Sequence, residues 1–165
     1  MGTTELVQEA ANKRPAMREL LARDDDFPSY DEIRALWKKH SKAEDARDLP
    51  GILSTLTPDC VYELVQTGHR WKGHEGAARF YTELLTAFPD INFSLTYIVI
   101  GPQGVCEEAV VTGTHTNAWL GHEPTGEELS WRNVIFFPWD PEQRLFSGER
   151  VYSFLPDDGP PGWMG

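Results

Sequence analysis

Residues 46–63 read ARDLPGILSTLTPDCVYE. The first half of this segment predicts a short helix, and the second half predicts a strand because its side chains alternate with a period of two. A longer helix precedes the segment, since side chains that can form one face recur there every three or four positions: Ile33, Leu36, Trp37, His40 and Ala43. The predicted order is therefore helix, helix, strand.

A third helix and four further strands follow. Residues 75–88 carry one apolar stripe at helical spacing, formed by Ala77, Phe80, Tyr81, Leu84, Leu85 and Phe88. Strands are predicted over 91–100, 105–116, 127–138 and 145–155, whereas the segment around Trp71 and Gly73 is predicted as a loop. Helices followed by a long antiparallel sheet predict an α+β fold, in which the sheet curls around the helices and leaves a conical cavity.

The two ends of the chain differ from this central part. Residues 3–23 predict an additional amphipathic helix, and an acidic linker at 24–29 separates it from the next helix, which Ser29 or Asp31 can cap. Residues 157–165 are too rich in glycine and proline to form a packed element. The predicted organisation is an N-terminal extension over 1–29, one domain over 30–156 and a flexible tail.

The composition limits the classes of partner. The chain has 165 residues, a formal net charge of -11 and 25% charged residues, as expected of one soluble globular domain. The negative charge opposes binding to nucleic acid or to an anionic membrane. No signal segment and no 18-residue apolar run occurs, so a cytoplasmic protein is expected, with Cys60 and Cys106 as free thiols.

Several short motifs occur in a fixed order along the chain: Asp48-Leu49 with Ile52-Leu53, Asp59, Gly73 with Phe80-Tyr81, Phe88-Pro89-Asp90, Thr112-Gly113-Thr114-His115-Thr116 and Pro124-Thr125-Gly126. In this order they resemble the nuclear transport factor 2-like superfamily, and most closely its SnoaL-like polyketide cyclase and ketosteroid isomerase branch. The resemblance covers roughly residues 30–156. It implies a cone built from a curved sheet around three helices, with a ligand site inside. It also implies a homodimer through the outer sheet face, where Phe136 is expected.

The resemblance further implies candidate catalytic residues. In the register of the ketosteroid isomerases, His40 takes the place of the oxyanion-hole tyrosine, Tyr81 that of a tyrosine bonded to it, and Asn133 that of the second donor. These three side chains are expected to hold a carbonyl or enolate oxygen at the floor of the cavity. The alternative is that a core histidine and a buried amide merely satisfy each other.

The acid–base positions depart from the family pattern. Leu64 stands where the isomerases carry their aspartate base, and Phe154 stands where the cyclases carry theirs. Neither side chain can accept a proton, so another base is needed. His40 is one candidate and His115 another, while Glu63 would reach the cavity only if its strand contained a bulge.

Further residues are expected to contact a ligand. Arg150 and Tyr152 share one face of the last strand with Phe154 and are predicted to point inward, where an arginine would favour a carboxylate or enolate ligand. A salt bridge at the edge of the cone is the alternative for Arg150. Aromatic walls for a flat, apolar ligand are expected from five tryptophans: Trp37, Trp71, Trp119, Trp131 and Trp139. Core packing explains any one of them equally well. Trp119 is the best candidate for a loop residue that covers the site.

Three functions are open at this stage. The first is a cofactor-independent isomerase, cyclase or dehydratase that transfers protons on a small apolar or aromatic carbonyl compound. The second is a module that binds such a ligand without chemistry, and the third is an association domain that uses its outer sheet face. No metal is expected, since His69, His74, His122 and Glu123 lack metal-ligand spacing.

Overall fold

The structure is a computed structural model, and it describes residues 17–23 and 27–154. The helices in these ranges are α1 (Met17–Leu21), α2 (Phe27–Asp45), α3 (Leu49–Leu53) and α4 (Gly73–Ala87). The strands are β1 (Leu56–Leu64), β2 (His69–Lys72), β3 (Asn92–Gly101), β4 (Gly104–Thr114), β5 (Glu128–Asp140) and β6 (Leu145–Phe154). Within the described ranges no helix is long and apolar enough to cross a membrane.

Helix α2 contributes buried side chains to the core, and the short helix α3 follows it after a capping residue. On α2, Ile33 and His40 are fully buried and Ala43 is nearly so, in keeping with their helical spacing. The Asp48 side chain caps α3, because its Oδ1 atom accepts a hydrogen bond from the Gly51 N–H group at 3.1 Å. A Cβ atom at Gly51 would lie 2.3 Å from the Asp48 carboxylate, so the cap requires glycine there.

The six strands form one sheet in the order β2-β1-β6-β5-β4-β3. Neighbouring strands are antiparallel except β1 and β6, which are parallel. The inner face of the sheet packs against α2 and α4. The largest fully buried side chains of this core are Tyr62, Phe88, Phe137 and Phe146. The other face of the sheet is the outer face.

A bulge in β6 decides which of its side chains face the helices. Phe146 is fully buried on the inner face, and regular alternation from it would bring Arg150 inward. Instead, Glu149 and Val151 are the buried residues of the second half of the strand. The phase changes at Gly148, as expected of a β-bulge.

Backbone contacts fix this bulge in place. Gly148 has a positive φ of 118°, and a Cβ atom at this position would lie 2.1 Å from the Val61 carbonyl oxygen. The pairing register of β6 with β5 shifts between Phe136 and Trp139. Only glycine permits both the φ angle and the close approach of β1, so Gly148 determines that Glu149 points inward.

The predicted α+β cone is confirmed, and three details of the prediction were wrong. Residues 69–72 form β2 instead of a loop, because a four-residue strand is too short to reveal its alternation and is held by pairing to β1. The sheet is not wholly antiparallel, since β6 inserts between β1 and β5. Helix α2 begins at Phe27, before the predicted caps Ser29 and Asp31, because Pro28 is compatible with the first turn of a helix.

The predictions for the chain ends are tested only in part. Of the helix predicted over 3–23, the described part contains α1, and the rest lies outside the described residues. The acidic residues 24–26 and the tail 157–165 also lie outside them. Cys60 and Cys106 are free thiols.

Candidate functional site

A narrow cavity opens between the inner face of the sheet, α4 and the end of α2. The volume in which the centre of a water molecule can lie is about 50 Å³. The total volume free of protein atoms is about 700 Å³, and it includes open solvent at the mouth of the cavity. The walls are mostly apolar. The polar residues of the lining are Glu44, Gln66, Thr67, Tyr81, Asn133, Glu149 and Ser153. Any chemistry in the cavity must use these groups or the residues behind them.

His40 on α2 lies directly behind the lining, and both nitrogens of its ring have partners. Nδ1 lies 2.6 Å from Thr55 Oγ1, and the Thr55 hydroxyl donates to the Ile52 carbonyl oxygen at 2.6 Å. Because its hydrogen is used there, the Thr55 oxygen accepts a hydrogen bond from the His40 Nδ1–H group. Nε2 lies 3.1 Å from Glu149 Oε1.

The carboxylates around His40 stabilise its positive charge. Besides Glu149, the Glu44 Oε1 atom lies 3.7 Å from Nε2. Burial by itself would lower the pKa of His40, but the charge of Glu44 and the hydrogen bond with Glu149 outweigh it and raise the pKa to about 10. His40 is therefore an imidazolium at neutral pH. Its two N–H groups are already used, so it is not a free donor for a ligand oxygen.

Tyr81 on α4 connects the two carboxylates. Its hydroxyl oxygen lies 2.6 Å from Glu44 Oε1, 2.9 Å from Glu149 Oε1 and 3.2 Å from the Tyr62 hydroxyl. Because a phenol has one hydrogen, Tyr81 donates to one of the two carboxylates at a time. Burial, together with the charges of the two glutamates, raises the pKa of Tyr62 and of Tyr81 well above the usual value, so both phenols stay protonated.

Glu149 on β6 is a buried carboxylate on the lining, with a relative exposure of 3%. Burial raises its pKa, the hydrogen bond with His40 opposes this rise, and the charge of Glu44 adds to it. A carboxyl group with a raised pKa is a stronger base, when ionised, than a carboxylate in water. Glu149 thus has the properties of an acid–base group.

A second buried glutamate, Glu107 on β4, lies behind the lining. The Trp37 indole Nε1–H group on α2 donates to Glu107 Oε2 at 2.9 Å. Burial, and then the charges of Glu44 and Glu149, raise the pKa of Glu107 to about 8. Glu107 is therefore mostly protonated at neutral pH. Trp37 is bonded to this carboxyl group and does not form the aromatic wall that was predicted for it.

His40, Glu44 and Glu149 also bring together possible metal-ligand atoms, which lie within 4.8 Å of one another. One imidazole and two carboxylates are a donor set that suits a divalent transition metal ion. The hydrogen on His40 Nε2 and the Tyr81 hydroxyl already bond these carboxylates, so an ion would have to displace a proton. Sequence spacing does not reveal this set, because its members come from α2 and β6.

Five of the predicted site residues lie on the cavity lining: Leu64, Tyr81, Trp119, Trp131 and Asn133. Asn133 is 6% exposed, and its Oδ1 atom is buried without a hydrogen-bond partner among the described residues. The Trp119 ring stacks on Trp71 with the ring centroids 6.5 Å apart, which holds the loop after β4 over the site. The roles of these residues in ligand binding remain predictions.

The predicted inward orientation of the last strand's even-numbered residues was wrong. Arg150 and Tyr152 lie on the outer face, where Arg150 Nε bonds Glu63 Oε2 at 3.1 Å and the guanidinium carbon lies 5.8 Å from the Tyr152 ring centroid. Phe154 is on the same face and is 54% exposed, so it does not fill a base position in the cavity. The bulge at Gly148 is the cause of this difference.

Two further base candidates lie away from the cavity. Glu63 is on the outer face of β1, where Arg70 and Arg150 both donate to it. His115 is fully buried and stacks on Phe88 with the ring centroids 5.1 Å apart. Burial lowers the pKa of His115, so this ring is neutral and packs as a core side chain.

The acidic part of the network was not predicted, although the sequence contains signals for it. Glu44 follows His40 by four residues, so both lie on one helix face. A glycine inside a strand, such as Gly148, is a signal of a bulge and would have turned Glu149 inward. Glu107 is in phase with the apolar residues of β4, which places its carboxyl group on the inner face.

Known structures share this fold. A candidate SnoaL-like polyketide cyclase of Jannaschia sp. CCS1 is 19% identical and has a TM-score of 0.69, over 79% of this chain and 91% of that one. AclR of Streptomyces galilaeus, a candidate hydroxylase, is 23% identical with a TM-score of 0.62, over 76% and 81% of the two chains. IdmH of Streptomyces antibioticus, a candidate polyketide cyclase, is 20% identical with a TM-score of 0.60, over 73% and 91%.

These identities establish the fold and not the activity. A search of curated proteins gives no match. The family model of the SnoaL-like polyketide cyclases matches residues 34–143, which is most of the domain that contains the cavity. By this match, and by the cone and inner-face cavity described above, the protein belongs to the SnoaL-like polyketide cyclase family.

Proposed function

We propose that this protein is a cofactor-independent enzyme that transfers a proton on a small carbonyl compound, as isomerase, cyclase and dehydratase reactions require. The observation that carries the proposal is the pairing of Glu149 with His40 and Tyr81 at the wall of a mostly apolar cavity. An acid–base group needs such a combination of burial and nearby charge to act near neutral pH.

In the proposed reaction, Glu149 takes a proton from the carbon next to the ligand carbonyl. The C–H bond breaks, an O–H bond forms on Glu149, and the electron pair moves to the carbonyl oxygen as an enolate. Glu149 then returns the proton to the same or another carbon. His40 does not line the cavity, so it is a positioning residue that orients Glu149 and balances its charge. When the Tyr81 hydroxyl donates to Glu149 instead of Glu44, it lowers the basicity of the Glu149 carboxylate.

Hydrogen exchange at carbon tests this proposal without knowledge of the natural substrate. Cyclic 1,3-diketones and aryl ketones are incubated with the protein in D₂O, and loss of the α-proton signal is followed by NMR. We expect exchange above the uncatalysed rate for at least one ketone. Glu149→Gln should slow it about 100-fold or more, the usual size of an acid–base contribution.

Glu63→Gln is the matched control, because Glu63 is a buried glutamate on the outer face of the neighbouring strand. It should leave exchange unchanged, and circular dichroism should show both variants folded. EDTA should have no effect if His40, Glu44 and Glu149 act without a metal ion. Exchange that survives in Glu149→Gln would contradict the proposal. Ligand binding without exchange by any ketone would favour the non-catalytic binding module.

We also propose that two copies of the chain associate through the outer sheet face. Tyr97, Val99 and Phe136 are exposed there by 69%, 53% and 41%, and Val99 and Phe136 both pair with Cys106 in the sheet register. Exposed apolar groups gathered on one face favour a self-complementary contact. Phe136→Glu should convert a dimer to a monomer in analytical ultracentrifugation. A wild-type protein that is monomeric at high concentration would contradict this.

A further inference from the structure

The charged side chains that line the cavity are all acidic. Among the described lining residues, Glu44 and Glu149 carry carboxyl groups, and none is lysine, arginine or histidine. The arginine predicted to point inward, Arg150, instead bonds Glu63 on the outer face. A carboxylate or phosphate ligand would therefore meet negative charge in this cavity.

The single imidazolium behind the lining balances only one of the two carboxylates. His40 bonds Glu149 Oε1 at 3.1 Å, while Glu44 Oε1 is 3.7 Å away and takes its short hydrogen bond, 2.6 Å, from the neutral Tyr81 hydroxyl. Glu44 also retains partial exposure, with 25% of its side chain accessible. When both glutamates are ionised, no lysine or arginine among the described residues forms an ion pair with either of them, and Glu44 lies where a ligand can reach it.

A second and independent feature also calls for a donor on the ligand. Asn133 Oδ1 is a buried acceptor on the same lining and has no partner among the described residues. A buried polar atom left without a hydrogen bond is costly, so an acceptor in this position is best satisfied by a bound group that carries hydrogen. The Asn133 side chain is 94% buried, so bulk water does not meet this need freely.

The walls suit a cation as well. Phe80, Trp119 and Trp131 line the cavity, and the Phe80 and Trp119 rings pack edge to face with centroids 6.1 Å apart. Aromatic faces attract ammonium groups, most strongly where water is excluded. Acidic and amide acceptors on a lining that also carries aromatic rings form a combination that recognises an organic ammonium ion.

We propose that the ligand of this cavity carries a protonated amine on a slender aromatic or apolar body, with the ammonium group donating to Glu44 and Asn133. This inference rests on the proposed function in one respect: it places the ligand in the same cavity, with Glu149 as the acid–base group. Roles are thus divided: Glu44 binds the charge of the ligand, and Glu149 exchanges the proton.

Three ligands with the same body test this inference: phenethylammonium, 2-phenylethanol and 3-phenylpropanoate. Their dissociation constants are measured at pH 7 by NMR titration of the tryptophan indole signals. We expect the ammonium compound to bind about tenfold more tightly than the alcohol, as one charge-assisted hydrogen bond would give. The carboxylate should bind most weakly.

Variants at Glu44 separate charge from shape. Glu44→Gln should remove the preference for the ammonium compound over the alcohol, while Glu44→Asp should keep most of it. Asn133→Leu should weaken the binding of the ammonium compound more than that of the alcohol. Glu63→Gln should leave all three dissociation constants unchanged. If Glu44→Gln does not fold, the Glu44→Asp variant and the three wild-type constants still decide the question.

The inference is overturned if the alcohol or the carboxylate binds at least as tightly as the ammonium compound, if none of the three binds, or if Glu44→Gln keeps the preference. The outcome is separate from that of the exchange experiment. An ammonium preference without carbon exchange would uphold this inference and remove the proposed enzyme. Exchange of neutral ketones without any ammonium preference would do the opposite.

Discussion

Glu63 and Glu149 lie on the neighbouring parallel strands β1 and β6, where Glu149 pairs with Tyr62 and Glu63 pairs with Arg150. Both carboxyl groups are covered, yet their pKa values shift in opposite directions. Burial would raise the pKa of Glu63, but hydrogen bonds and charges from Arg70 and Arg150 outweigh it and lower the pKa. At Glu149, burial prevails over the single bond to His40 and raises the pKa.

The difference shows that the face of the sheet decides the chemistry of a glutamate in this fold. On the outer face, two arginines surround one carboxylate and hold it ionised, as suits a structural ion pair. On the inner face, one imidazolium serves two carboxylates and a third, Glu107, lies nearby. This shortage of positive charge keeps protons in the network and makes them available for transfer.

The substitution His40→Leu is the most sensitive test of this difference between the two faces. Loss of the imidazolium leaves Glu44 and Glu149 without their positive partner, and removal of one member of a buried pair typically costs about 3–5 kcal/mol. We expect a loss of this size at pH 7 in urea unfolding.

The matched change on the outer face is Arg150→Leu. It should cost about 1 kcal/mol, since the pair is partly exposed and Arg70 still neutralises Glu63. Equal losses for His40→Leu and Arg150→Leu would show that the two faces do not differ as we describe.

The next effect concerns the bulge that separates the faces. Gly148→Ala places a Cβ atom against the Val61 carbonyl oxygen at a φ of 118°, so β1 and β6 must move apart. Backbone strain of this kind costs about 1–3 kcal/mol. Urea unfolding measures the loss. The indole NMR signals of the lining should shift as well, because Glu149 follows directly in the chain. Gly101→Ala is the control, since nothing lies within 4 Å of its added Cβ.

The fold could be predicted from the sequence because the alternation in β5 and the stripe on α4 are regular. The site could be predicted only in part. The burial of His40 follows from helical spacing. Gly148, however, reverses the phase of β6, so a regular two-residue alternation predicts an inward Arg150 instead of an inward Glu149. Glu44 was missed for another reason: a charged residue near the end of a helix has the pattern of a solvated one, and only the fold brings Tyr81 and Glu149 to it.

A smaller and pH-dependent effect is expected at Glu107. Its pKa is raised from 4.5 to about 8, so the folded state holds a proton that the unfolded state releases between these values. Stability therefore falls as pH rises through this window, by at most about 1.4 kcal/mol per pH unit for one proton. Glu107→Gln should flatten this slope, because the glutamine side chain does not titrate. The local structure should be kept, since the Gln carbonyl still accepts the hydrogen bond from Trp37. Unfolding is measured from pH 5 to pH 9.

His40 helps to interpret that experiment. Its pKa is raised from 6.5 to about 10, so its stabilising contribution is complete below 6.5 and is lost as pH rises towards 10. Glu107→Gln should thus retain the decline above neutral pH and reduce the decline below it, where Glu149 still contributes through its own raised pKa. An unchanged profile between pH 5 and pH 6.5 would contradict a protonated Glu107.

The smallest effect is expected for the outer ion pair itself. Because the pKa of Glu63 is lowered, its contribution is present above 4.5 and is lost as pH falls through the lowered value. A double-mutant cycle of Glu63→Gln and Arg150→Leu should give a coupling energy of about 1 kcal/mol or less, which salt reduces. The same cycle for His40→Leu and Glu149→Leu should give a several-fold larger coupling that salt hardly changes. If the coupling energy of Glu63 with Arg150 were the larger of the two, burial would not explain why the pKa values of Glu149 and Glu63 shift in opposite directions. The suitability of Glu149 as a base would then need another cause.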